Sequence, residues 1–196
     1  QSWSMPAVFN NTSGTVRFKK NLSDGWLWTT QYGGQRLRTD DRLAFALGGT
    51  NSIGTVYDQF ISGPRFDIYD YRSENERRIN DALKTELTGQ VKLAGIQHDL
   101  SFSWLRQRQI DKLSPMQAYN WAGTGSLMGV GESTAAPEPT ELNTNRQEYS
   151  TEISVKDRVR VHPMADLWLG LRTSQIQRDS QRTDGSRATH DTRTIT

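Results

Sequence analysis

Residues 149–171 read YSTEISVKDRVRVHPMADLWLGL, and this stretch limits the fold more than any other. Tyr149, Thr151, Ile153, Val155, Val159 and Val161 share one parity. Ser150, Glu152, Ser154, Lys156, Arg158 and Arg160 share the other. An extended strand sends successive side chains to opposite faces, so the run predicts one apolar and one charged face. The segment HPMAD follows, and Pro163 within it has no N–H to give a ladder. Leu167, Leu169 and Leu171 then resume an apolar face. The unit is a β-hairpin with a short turn.

The same pattern recurs along the chain. Val16 and Phe18 alternate with Arg17 and Lys19, and Trp26, Trp28 and Tyr32 mark the next strand. Leu83, Leu87, Val91 and Leu93 alternate with Lys84, Glu86, Thr88, Gln90 and Lys92. Leu100, Phe102 and Trp104 alternate with Ser101 and Ser103. This gives about six strands. Connections near 21–25, 94–97 and 162–166 are short, whereas 39–65, 111–143 and 177 onward are expected as long loops. Short and long alternate strictly, which puts all short turns at one end of the sheet.

Composition narrows the choice. Hydrophobic residues are 34%, charged residues 23%, and the net charge is +2, yet there are 6 Trp, 6 Tyr and 6 Phe. A disordered chain carries few aromatics, and a charge this balanced does not argue for nucleic acid. With no cysteine, neither a disulfide framework nor a thiolate metal site can form. No apolar run reaches the length of a membrane-crossing helix. The termini, QSWSMPAVF and THDTRTIT, read as those of a piece of something longer.

Structureless loops beyond about 12–15 residues are uncommon in compact domains. A transmembrane β-barrel accounts for them, with short periplasmic turns and long extracellular loops. In that reading Leu83, Leu87, Val91, Leu100, Phe102, Trp104, Ile153, Val155, Val159, Leu167, Leu169 and Leu171 face lipid. Trp26, Trp28 and Trp168, beside the short turns, match an interfacial aromatic girdle. Asp157 falls by parity on the lipid side. A soluble antiparallel sheet also alternates, so a soluble all-β binding module with a recognition loop at 111–143 stands as the alternative. Six strands cannot close a barrel, and open edges in lipid are costly, so remaining barrel strands must come from elsewhere.

The hairpin EISVKDRVRV–turn–LWLGLR resembles a recurring barrel hairpin of TonB-dependent outer-membrane receptors. QRLRTDDRLAF (35–45), FDIYDYRSENERR (66–78), IQHDLSFSW (96–104), YNWAGTG (119–125) and NTNRQEYSTE (143–152) are similar to the siderophore-receptor branch. The resemblance runs from about residue 13 to 190. It implies that residues 1–196 are a segment of a 22-stranded barrel in the bacterial outer membrane, with neither plug domain nor TonB box in this stretch. It further implies a ferric siderophore as transported ligand, outer-membrane lipid around the wall, and the TonB complex acting through the plug.

Ligand contacts in such a receptor come from loops and plug. The loops here offer Tyr57 and Phe60, and Tyr119 and Trp121, since aromatic side chains stack on planar groups at small entropic cost. Asp40, Asp41 and Arg42 read as a solvated cluster. Asp70, Glu74, Glu76, Arg77 and Arg78 read as cross-strand ion pairs. His98, His162 and His190 have no ligand spacing, and no catalytic constellation is evident, so the sequence predicts no enzyme and no metal site.

Overall fold

A computed structural model of the chain describes residues 2–51, 54–56, 65–129, 131–135 and 138–196. Every regular element among them is a strand. These are β1 (Val8–Ser23), β2 (Trp26–Leu47), β3 (Gly49–Asn51), β4 (Gly54–Val56), β5 (Arg65–Leu93) and β6 (Ile96–Lys112). They continue as β7 (Met116–Ser126), β8 (Glu132–Ser133), β9 (Glu141–Leu142), β10 (Thr144–His162), β11 (Ala165–Arg182) and β12 (Arg187–Ile195). The main sheet is open and antiparallel, in the order β1-β2-β5-β6-β10-β11-β12.

The short turns stand where the alternation put them. Ala94 and Gly95 both have positive φ (50° and 83°), as a tight hairpin turn requires, and Gly25 has φ 80°. The turns near 21–25, 94–97 and 162–166 close one end of the sheet, whereas a further short turn between Arg182 and Arg187 lies at the opposite end, where the alternation of short and long connections put none.

The long loops do not stand as expected. β2 runs on to Leu47, β5 is 29 residues long, and β11 and β12 occupy most of 177–196. Segment 111–143 is not one loop. β6 stops at Lys112, β7 begins at Met116, and both pair with β5, over Arg77–Leu93 and Arg65–Arg72 respectively. The break between them is held by Asn145, which accepts from the Leu113 N–H, and by Asn143, which donates to the Ser114 carbonyl. Polar residues and glycines in these stretches belong to sheet, not loop.

One face carries the apolar residues in register. Across β2, β5, β6, β10 and β11 one row reads Trp28, Leu87, Phe102, Val155, Leu171. Rows beside it hold Leu83, Val91, Leu100, Trp104, Ile153, Val159, Leu167 and Leu169 on the same side. Most are open: Ile153 is 51% exposed and Leu171 61%, while Val159 is buried at 8%. Trp26 lies over Gly89, where a Cβ would come within 2.2 Å of the indole. Phe18 meets Trp28 edge-on at 5.5 Å. Trp168 is a correction: it shares the polar face with Arg158, whose guanidinium lies 5.5 Å over its ring, because its parity opposes that of Leu167 and Leu169.

Val159 and Ser154 aside, the buried side chains sit elsewhere. Ile68, Ala118 and Ala122, with polar Thr39, Asp67, Asp70, Ser73, Glu76 and Asn143, lie at the end far from the turns near 21–25, 94–97 and 162–166. The apolar band is therefore exposed and the polar end is packed, the reverse of a water-soluble domain. No second layer covers the band among the described residues, which a soluble binding module would need.

Candidate functional site

The packed end is built around an irregularity. Thr39 pairs with Glu76 and Asp41 with Ser73, so one residue of β2 opposes two of β5, Glu74 and Asn75. Asn75 adopts φ 58°, its N–H donates to Asp40 Oδ1 at 2.6 Å, and Arg38 donates to its side-chain oxygen at 2.9 Å. Thr39 donates to Glu76 Oε2 and Ser73 donates to Oε1, which holds all three on one face. The extra residue inverts the parity of β5. Above it, Asp67, Tyr69 and Tyr71 join the polar face instead of following Leu83 and Leu87.

An aromatic shelf results. Tyr119 stacks on Tyr69, with centroids 5.0 Å apart and planes 12° from parallel. Tyr71 meets Tyr119 edge-on at 6.3 Å, and Phe45 is tilted against it at 6.2 Å. Trp121, 60% exposed, pairs with Tyr69 and donates its Nε1–H to Asp67 Oδ1 at 3.2 Å. The shelf draws on β2, β5 and β7, and the rings of Phe45, Tyr119 and Trp121 are exposed on it. Such a surface can stack a planar group.

Tyr119 and Trp121 thus come together, but on a strand rather than on a loop. Phe45, Tyr69 and Tyr71 were not singled out in the sequence; the alternation in DIYDY was their available signal. Tyr57 and Phe60 lie outside the described residues.

The charges around the shelf pair along their own strand, contrary to the cross-strand expectation. Arg72 binds Asp70 at 2.6 Å and Arg78 binds Glu76 at 3.0 Å. The reason is parity: residues two apart on a strand lie on one side. The bond to Asp70 raises the pKa of Arg72 further. Asp41 Oδ1 is shut off from solvent with no hydrogen-bond partner among the described residues. Burial, then Glu76 and Asp40, push its pKa above the ordinary value, while Arg78 opposes them. Among the described residues no group of three His, Asp or Glu is placed to hold a metal ion.

At the other end of the polar face, Arg158 donates to Asp166 at 2.9 Å and stands 3.5 Å from Asp99. Between the two ends the polar face has a shallow depression of about 390 Å³, lined by Gly33, Gln35, Ala82, Gln107 and Ser150 among others.

No family model matches the sequence, and no curated protein matches it. Among solved structures it is similar to BauA, the ferric preacinetobactin receptor from Acinetobacter baumannii, with a TM-score of 0.66 and 11% identity. The likeness takes in 96% of this chain. The chain has the fold of a stretch of that receptor. It spans 27% of the receptor's length, and at this identity the likeness shows the fold alone.

Proposed function

We propose that the chain is a segment of the barrel wall of a TonB-dependent outer-membrane receptor that takes up a ferric siderophore. The observation that carries this reading is the exposed apolar face. From Leu83 to Leu93 the band runs ten residues along β5, about 33 Å of strand. At a tilt of about 40° that is about 25 Å along a membrane normal, the height of the apolar band on outer-membrane barrels. The same face turns polar immediately above, at Asp81 and Arg108.

On this reading the polar face lines the lumen, and the aromatic shelf stands above the membrane on the lumenal side, where an incoming chelate meets it. The outer edges of β1 and β12 pair with the remaining strands of a 22-stranded barrel. The plug and the TonB complex supply the coupling, and the work is transport rather than catalysis. Similarity of fold to a ferric-chelate receptor supports the substrate class.

The test uses the full chain in vesicles of brominated phosphatidylcholine. Tryptophan fluorescence is expected to be quenched, and Trp104→Phe to remove part of that quenching. Absence of quenching sinks the membrane reading. For the ligand, Tyr119→Ala is expected to weaken binding of radiolabelled ferric siderophore by about threefold to tenfold, the worth of one aromatic contact.

A further inference from the structure

The three strands of the aromatic shelf are unequally anchored. β2 and β5 pair with each other through most of their length. β7 joins them through eight pairs with β5, and that ladder slips between Ile68 and Tyr69, where Ala122 is the extra residue. Trp121 stands beside the slip, with Tyr119 two residues further along. On its other edge β7 meets the two-residue strands β8, through Gly123 and Thr124, and β9, through Met116 and Gln117. An edge with so few partners opens more readily than the sheet it borders.

Segment 131–134 lies close against that edge. The Thr134 N–H donates to the Ala122 carbonyl at 2.8 Å, which satisfies a group that the slip takes out of the ladder with β5. A Cβ on Gly131 would come within 2.7 Å of Gly125 Cα and of the Thr124 oxygen, so the approach is one that glycine allows. Between these two contacts, Ser133 Oγ accepts from the Trp3 indole Nε1–H at 3.1 Å.

Trp3 comes from the other side of the sheet. The Met5 N–H donates to the Arg42 carbonyl at 2.8 Å, which sets the segment before β1 along β2. A side chain that starts beside β2 and ends beside β8 must pass β5 and β7. On the polar face Phe45, Tyr119 and Trp121 are open, whereas Ile68 and Ala118, on the opposite face, are only 4% and 1% exposed. The crossing therefore runs behind the shelf.

We infer that Trp3 is a positioning residue for the shelf. Its indole ties the free edge of β7 to the β1–β2 hairpin, at the slip beside Trp121. Tyr119 and Trp121 thereby keep their distance and angle to Phe45, Tyr69 and Tyr71. The inference rests on the shelf being where the proposed ligand sits. A planar group that spans rings from different strands binds in proportion to the fraction of molecules in which those rings are aligned. One neutral hydrogen bond changes such a fraction by about threefold to tenfold.

Hydrogen exchange at the amides of 121–125 is measured on the full chain in phosphatidylcholine vesicles. The variants are Trp3→Phe, which keeps a ring but loses the donor, Ser133→Ala, the two combined, and Ser133→Thr, which keeps the hydroxyl. Exchange is expected to rise about threefold to tenfold in each of the first two, to rise no further in the double variant, and to stay at the parent value in Ser133→Thr. Binding of radiolabelled ferric tris(catecholate), a chelate with planar arms, is expected to weaken by the same factor in the same variants. Unchanged exchange in both single variants, or effects that add in the double one, overturns the inference. So does faster exchange with binding equal to that of the parent. If exchange responds as expected and the parent itself binds no ferric chelate, the tether stands and the shelf falls as the ligand site.

Discussion

His98 Nδ1 and Asp157 Oδ2 lie 2.7 Å apart on the apolar face, among Val91, Leu100, Val159 and Leu169. Asp157 breaks the alternation of β10, and His98 breaks that of β6. Each interruption compensates the other, because the two positions are diagonal neighbours on adjacent strands. The other oxygen, Asp157 Oδ1, is shielded without a partner among the described residues. Removing one member therefore costs more than removing both. His98→Ala is expected to destabilise the folded sheet by about 1–3 kcal/mol, by stranding a carboxylate. His98→Leu with Asp157→Leu is expected to be neutral or stabilising. Guanidinium unfolding of the full chain in vesicles reads both; equal losses in the single and double variants would remove the coupling.

Gly89 is glycine because Trp26 covers it. The indole occupies the space a Cβ would take, at 2.2 Å from Cδ2 and 2.3 Å from Cε3. A ring fixed by its backbone partner cannot move aside as a flexible chain end does. Gly89→Ala is expected to displace the indole and to cost about 1–3 kcal/mol, the usual penalty of overpacking. Trp26→Leu in the same background is expected to recover part of that loss. Thermal unfolding followed by the shift in gel mobility distinguishes the three proteins.

Asp41 gives the packed end a pH dependence. Its pKa in the folded chain lies above the ordinary 3.8. Between those two values the folded state binds more protons than the unfolded one, so stability falls as pH rises through that interval. The contribution is greatest below the ordinary carboxylate range and is lost above the raised value. Asp41→Asn is expected to remove this slope and to stabilise the region at neutral pH by less than about 1 kcal/mol, since the site is only half-buried. Hydrogen exchange at the amides of Thr39 to Arg42, measured across the acidic range, reads both effects.

The part of the fold at the height of the apolar band was legible because an apolar face set against a polar one imposes a strict period of two. Val155, Phe102 and Leu87 could each be placed on a face from neighbours within ten residues. The register of the hairpin followed from Pro163 and the parity of Leu167. Above the band that contrast disappears: both faces carry polar residues, apolar residues lose their period, and 39–47 or Met116–Ser126 resemble loops. The aromatic shelf was half-legible for a related reason. Tyr119 and Trp121 stand out by type, but their partners Tyr69 and Tyr71 are some fifty residues away and meet them only through the β5–β7 ladder. Read straight through β5, those tyrosines share parity with Leu83 and would lie on the apolar face.

The extra residue at Asn75 is why that straight reading fails, and it gives a test of the site. Its φ of 58° suits glycine or asparagine and penalises other side chains. Asn75→Gly keeps the backbone and loses the bond from Arg38, so it is expected to change stability by less than about 1 kcal/mol. Asn75→Ile is expected to cost about 1–2 kcal/mol or more, because a β-branched residue in this region is strained. Deleting Asn75 is the informative variant. Thr39 then still opposes Glu76, Asp40 opposes Glu74 alone, and Asp41 still opposes Ser73, so Tyr69 and Tyr71 stay on the polar face with Phe45 and Tyr119. Quenching by lipid-borne bromine and binding of the proposed ferric ligand are therefore both expected to persist, in contrast to Tyr119→Ala. Loss of ligand binding in the deletion variant with quenching unchanged would show that the bulge itself, and not the face the rings share, makes the site.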